Sequence, residues 1–157
     1  MITFETLDRV ADNVNPVFGV FTLAWAWVVR KRSGHGGLFG NAFTLLSVAA
    51  VYALQWIDNR LHLWSRMSLD YSTHTAVCTA LIVSLFWMDR RAGIGGIVLG
   101  VGYVVLMRYQ NYHSLADIMT TAAVLVAISM ACWWSGSKVL QQAPVPARGK
   151  SSAFPRP

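Results

Sequence analysis

Five stretches of this chain contain no aspartate, glutamate, lysine or arginine: Asn13 to Val29, Gly36 to Ile57, Tyr71 to Met88, Ala92 to Met107 and Ile118 to Ser137. A helix needs about 20 apolar residues to cross the hydrocarbon of a bilayer, with a range of roughly 17 to 25, so runs punctuated in this way predict a membrane-spanning bundle. The fourth run is a little short, and its Gly93, Gly95, Gly96, Gly100 and Gly102 suggest close helix packing. Composition agrees: 55% of residues are hydrophobic and 13% charged, against about half and a quarter in a soluble domain. The expected fold is all-α, a polytopic integral membrane bundle of about five transmembrane helices.

The basic residues set the expected orientation, because lysine and arginine are enriched in short cytoplasmic loops. Arg30, Lys31 and Arg32 follow the first run, Arg90 and Arg91 the third, and Lys138, Arg148, Lys150 and Arg156 the fifth. Only Arg9, Arg60, Arg66 and Arg108 lie on the other side, together with every carboxylate except Asp89. This pattern predicts an N-terminus outside and a C-terminus inside, in the inner or plasma membrane. The first run has acidic flanks and no basic leader, so it reads as a retained helix. Residues 1–140 then form the membrane domain. The tail "QQAPVPARGKSSAFPRP", at 141–157, reads as a disordered basic cytoplasmic extension. The net charge of +6 reports this topology and anionic lipid, with no basic stripe of the kind that binds nucleic acid. Cys78 and Cys132 lack disulfide or metal spacing and read as buried free thiols. Trp56 and Trp64 on one side, with Trp25, Trp27, Trp87, Trp133 and Trp134 on the other, suggest an aromatic belt at each interface.

Two of the runs open with a histidine: "LDYSTHTA" carries His74 and "RYQNYHSLAD" carries His113. Ionisable groups at the mouth of a membrane helix are functional candidates by default. On a helix, His113 and Asp117 would share one face, so that the carboxylate fixes the imidazole in one tautomer and raises its basicity. His74 begins the third run at the same predicted depth and supplies a second acid or base. Arg108, Arg66 and Arg60 fall in the same outer segments, where guanidinium forks suit phosphate oxygens. Two imidazoles, a carboxylate and several arginines at membrane level point to phosphoryl transfer on a lipid-linked phosphate.

These residues resemble the second and third signature motifs of the type 2 phosphatidic acid phosphatase superfamily, particularly its sphingomyelin-synthase-like branch. That superfamily carries Pro-Ser-Gly-His and, further on, Ser-Arg, five residues, His, three residues and Asp. Ser72 and His74 match the first, with Tyr71 in place of proline and Thr73 in place of glycine. Arg108, His113 and Asp117 match the second, with four residues between arginine and histidine and Met107 in place of serine. The resemblance implies that His113 attacks phosphorus to form a phosphohistidine, Asp117 orients it, His74 protonates the leaving alcohol, and Arg108 and Ser72 bind the substrate phosphate. It implies no metal and no cofactor. The superfamily's lysine and Arg-Pro motif has no counterpart, since Lys31, Lys138 and Lys150 all fall on the predicted cytoplasmic side. Arg60 and Arg66 are the residues that could replace it.

The sequence leaves water or a lipid alcohol open as acceptor, hence phosphatase or headgroup transferase. The competing reading is a catalytically inactive membrane scaffold. His35, in "RSGHGG" on the opposite predicted face, and His62 read as residues reaching for headgroup water.

Overall fold

The computed structural model describes residues 4–33 and 36–142, with side chains described for 5–32 and 40–135. The part of the expected tail beyond residue 142, and His35, lie outside the described residues. Five helices form: α1 over Phe4–Ser33, α2 over Gly36–Leu61, α3 over Thr73–Met88, α4 over Arg90–Tyr109 and α5 over Leu115–Gln142. No strand occurs among the described residues. Three segments, Gly40–Leu61, Arg90–Tyr109 and Leu115–Ser135, are long and apolar enough to cross a membrane, which makes this an all-α membrane protein. Of the other two helices, α3 is shorter, with 16 residues. The first turns of α1 carry Glu5, Asp8, Arg9 and Asp12.

The centre of the bundle is α3, which packs against each of the other four helices. Its sequence is apolar on all sides, as a helix surrounded by neighbours must be, and Ala76, Cys78, Ala80, Leu81 and Leu85 are buried. Gly93, Gly96 and Gly100 line the α4 face that meets it, and a Cβ at Gly93 would collide with the Phe86 backbone. Gly95 and Gly102 point elsewhere, into open space. Three buried hydroxyls are satisfied within their own helices: Thr22 donates to the Phe18 carbonyl (2.8 Å), Thr44 to Gly40 (2.9 Å) and Ser84 to Ala80 (2.8 Å). This is the economical solution where no water is available. The buried Ser47 and Ser129 hydroxyls have no partner among the described residues.

Two sequence expectations are corrected here. Cys78 is buried but Cys132 is exposed on the bundle surface. Trp64 belongs to the core, edge-on to Tyr71 at 4.9 Å, because the α2–α3 connection folds inward over the helix ends. Trp87 and Trp133, by contrast, stack at 4.7 Å at the opposite end of the bundle.

The connections carry the polar cluster. After α2, the Asp58 carboxylate accepts from the Trp64 amide (2.9 Å), and a 3-10 turn over Ser65–Met67 ends on Ser68 in the left-handed region. The Tyr71 hydroxyl then donates to the Val51 carbonyl (3.0 Å), fixing the entry to α3. Between α3 and α4 the single residue Asp89 reverses the chain, its carboxylate capping Arg91 (2.8 Å) and Ala92. Successive helices run in opposite directions. The starts of α1, α3 and α5 therefore meet the ends of α2 and α4.

Candidate active site

The starts of α3 and α5 are tied together by their caps. Ser72 is the N-cap of α3: its hydroxyl accepts from the Thr75 amide (3.3 Å) and pairs with the Thr75 hydroxyl (2.8 Å), and its own amide donates to Thr121 of α5 (3.3 Å). At α5, Ser114 and Asp117 form a reciprocal capping box, with Asp117 Oδ2 accepting from the Ser114 amide (2.8 Å) and the Ser114 hydroxyl from the Asp117 amide (3.1 Å). Asp117 Oδ1 accepts from the Asp70 amide (2.9 Å), on the segment that enters α3. Two helix N-termini, each carrying partial positive charge, are thereby held side by side.

This arrangement redistributes the roles expected from sequence. Ser72 is fully buried and its hydroxyl is committed to the cap. Asp117 is buried, with both oxygens engaged by backbone amides, so it shapes the site without holding His113. His113 precedes the first turn of α5, so the four-residue spacing does not bring it over Asp117. Its Nδ1 instead faces the Asp70 carboxylate at 3.5 Å, longer than a hydrogen bond but within ion-pair range when the imidazole is protonated. The His113 side chain is 13% exposed and that of Asp70 76%. His113 Nδ1 is buried without a hydrogen-bond partner, and no hydrogen bond reaches Nε2 among the described residues.

Arg108, the last basic residue of α4, donates from Nη1 to the His113 carbonyl (2.7 Å) across a turn in which Asn111 is left-handed. The guanidinium thus braces the backbone that presents His113, and its remaining N–H groups are available to a ligand. Arg60 lies over the Trp56 ring (5.6 Å) and Arg66 is exposed in the 3-10 turn. Among the described residues, no hydrogen bond, ion pair or ring contact joins either to His74 or His113.

His74 is set by residues that sequence reasoning missed. Its Nδ1 lies 2.9 Å from the Tyr103 hydroxyl, which is also 3.0 Å from the Ala11 carbonyl. The carbonyl can only accept, so the single phenolic proton goes to Ala11 and the Tyr103 oxygen accepts from His74 Nδ1–H. This donor count assigns the neutral His74 a bare Nε2, directed away from Tyr103. The Tyr112 ring stacks on His74 (6.5 Å between centroids, 19°), and its hydroxyl donates to Asp8 (2.9 Å), raising the phenol's pKa. Asp8 also accepts from Gln110 (2.8 Å), and Asn15 donates to the His74 carbonyl (3.0 Å). The start of α1 is thus laid over the imidazole. The available signal was the tyrosine itself, since a phenol within an apolar run requires a hydrogen-bond partner.

A cavity of about 400 Å³ opens beside His74 between α1, α2 and α3. Asp12, Asn15 and Thr73 stand near His74 at one end, and Leu23, Leu45 and Leu81 line the apolar remainder. No three His, Cys, Asp or Glu side chains converge on a metal-sized centre among the described residues. Compared with known proteins, the chain matches no family model, no curated protein and no solved structure, so its chemistry has to be read from these residues alone.

Proposed function

We propose that this protein is a lipid phosphate phosphatase or headgroup phosphotransferase, acting from the non-cytoplasmic face of the inner or plasma membrane, with five helices spanning and the C-terminus inside. The observation that carries the reading is that two imidazoles stand at the same end of the bundle, His74 with Nδ1 against the Tyr103 hydroxyl and His113 with Nδ1 3.5 Å from the Asp70 carboxylate. One rests on a neutral phenol and the other on a carboxylate, which gives them different tasks. His113, facing Asp70, is the nucleophile; His74, held by Tyr103, is the acid and then the base.

In the first step His113 Nε2 attacks phosphorus. The bond from phosphorus to the lipid oxygen breaks, and the leaving alkoxide takes a proton from Nε2 of protonated His74. In the second step a water or a lipid alcohol gives its proton to His74 as its oxygen attacks phosphorus, and the P–N bond breaks to restore His113. Arg108 and the paired N-termini of α3 and α5 favour the phosphate's charge in both steps. The apolar cavity beside His74 accommodates a lipid chain while the phosphate stays at the cluster.

The reading is tested by phosphate release from a panel of lipid phosphates by detergent-purified protein with a chelator present, and by product analysis with and without added lipid alcohol. Release without alcohol identifies the phosphatase, and a new phospholipid formed only with alcohol identifies the transferase. Neither product would favour the inactive scaffold.

Tyr103→Phe should lower kcat about tenfold, the worth of roughly one lost hydrogen bond, with little change in KM. His74 then loses the acceptor for its Nδ1–H, so its tautomer and ring orientation are no longer fixed. A purely structural Tyr103 would lower stability and leave kcat of the folded protein unchanged.

A further inference from the structure

At the other side of α1 a second and larger cavity, of about 890 Å³, separates that helix from α4. It extends from Val14 to Arg32 along α1, about 27 Å at 1.5 Å per residue, which is most of the thickness of a bilayer's hydrocarbon. Phe18, Phe21 and Trp25 form one wall. Gly95 and Gly102 of α4 form the other, where a Cβ would meet nothing within 4 Å. The end farthest from the histidines is bounded by Arg32, Arg91 and Asp89.

The charge at that end decides what fits. Both guanidiniums are exposed, and neither has an ion-pair partner among the described residues. Asp89, the groove's one carboxylate, uses Oδ1 to cap α4. Arg30, Lys31 and Arg90 stand at the same end, with Lys31 3.7 Å from the centre of the Trp27 ring. A second copy docking in parallel would bring an identical basic cluster to the same level, so like charge opposes that occupant. An amphiphile with an apolar chain and a phosphate satisfies wall and mouth together.

We propose that the α1–α4 groove binds an anionic glycerophospholipid, its headgroup phosphate between Arg32 and Arg91 and an acyl chain lying along Gly95 and Gly102. This site is independent of the chemistry proposed at the histidines and belongs to the opposite leaflet.

The test is native mass spectrometry of the detergent-purified full chain, titrated with phosphatidylglycerol or with phosphatidylcholine of identical chains. Phosphatidylglycerol should be retained about 10- to 30-fold more strongly, the scale expected for two basic residues near an anionic headgroup. The double variant Arg32→Ala, Arg91→Ala should bind both lipids equally. The double variant Gly95→Leu, Gly102→Leu fills the open floor without touching the α3 contact, and should lose both lipids while its thermal unfolding stays near wild type. Glycerol phosphate should not compete.

Equal retention of the two lipids by wild type, or a preference surviving in either variant, would overturn the proposal. Competition by glycerol phosphate would reduce the site to a surface anion site and also overturn it. If the leucines changed the oligomeric state and left lipid retention intact, the groove would be a contact between copies.

Discussion

Replacing His113 with alanine is expected to abolish phosphate release from every lipid phosphate that the wild-type protein accepts, by at least ~10³-fold, because the proposed nucleophile is removed. The fold should survive. His113 lies before the first turn of α5, its side chain accepts and donates no hydrogen bond within the protein, and Arg108 grips its backbone carbonyl, which alanine also has. His74→Ala should differ in kind, slowing both steps and allowing phosphate to remain on His113. Acid-labile phosphate should therefore be trapped on the His74 variant and be missing from the His113 variant. Asp70→Asn provides the finer control: the carboxylate facing Nδ1 loses its charge, so attack slows while the α5 cap, which uses only the Asp70 amide, stays intact. Full activity in His113→Ala would remove the phosphohistidine route altogether.

The largest effect on stability is expected at Gly93. An alanine there pushes its Cβ into the Phe86 backbone, which cannot rotate away as a side chain can. The contact lies beside the one-residue reversal at Asp89, where α3 and α4 have no slack to separate. Overpacking of this type costs about 1–3 kcal/mol, occasionally more, and a backbone collision belongs at the upper end. Gly95→Ala and Gly102→Ala enter open space and replace a poor helix former with a good one, so they should be neutral or stabilising by up to about 1 kcal/mol. Thermal unfolding of the three single variants in one detergent checks this. A Gly93→Ala variant as stable as Gly95→Ala would show that the α3–α4 contact is looser than described.

The gaps between charged residues located all five helices, because each reversal of the chain needs polar residues and each buried segment excludes charge. They mark spans and not helix ends: the first charge-free run begins at Asn13, whereas α1 extends back to Phe4 through Asp8 and Asp12. Asp8 receives Gln110 and Tyr112, and that part of α1 covers the end of the bundle as a lid over His74. The site was legible as residue types and in part as residues. His74, His113 and Arg108 gather at one end as the alternation of helix direction requires. The pairing of His113 with Asp117 expected from their spacing does not form, since spacing rules apply only inside a helix and His113 stands outside it. Asp70, Tyr103 and Tyr112 reach the cluster through tertiary contacts that no local pattern encodes.

The brevity of α3 has a consequence for where the proposed chemistry would take place. At about 1.5 Å per residue its 16 residues cover ~24 Å, short of a hydrocarbon layer of roughly 30 Å. On the proposed topology, with α3 spanning, the bilayer would have to dip to meet His74 in its first turn. A membrane of longer chains would submerge the imidazole and shut out water, and one of shorter chains would leave it level with the glycerol backbones. The host membrane's thickness would then act as a setting on the proposed site, adjusting solvent access to His74 with no change in any residue.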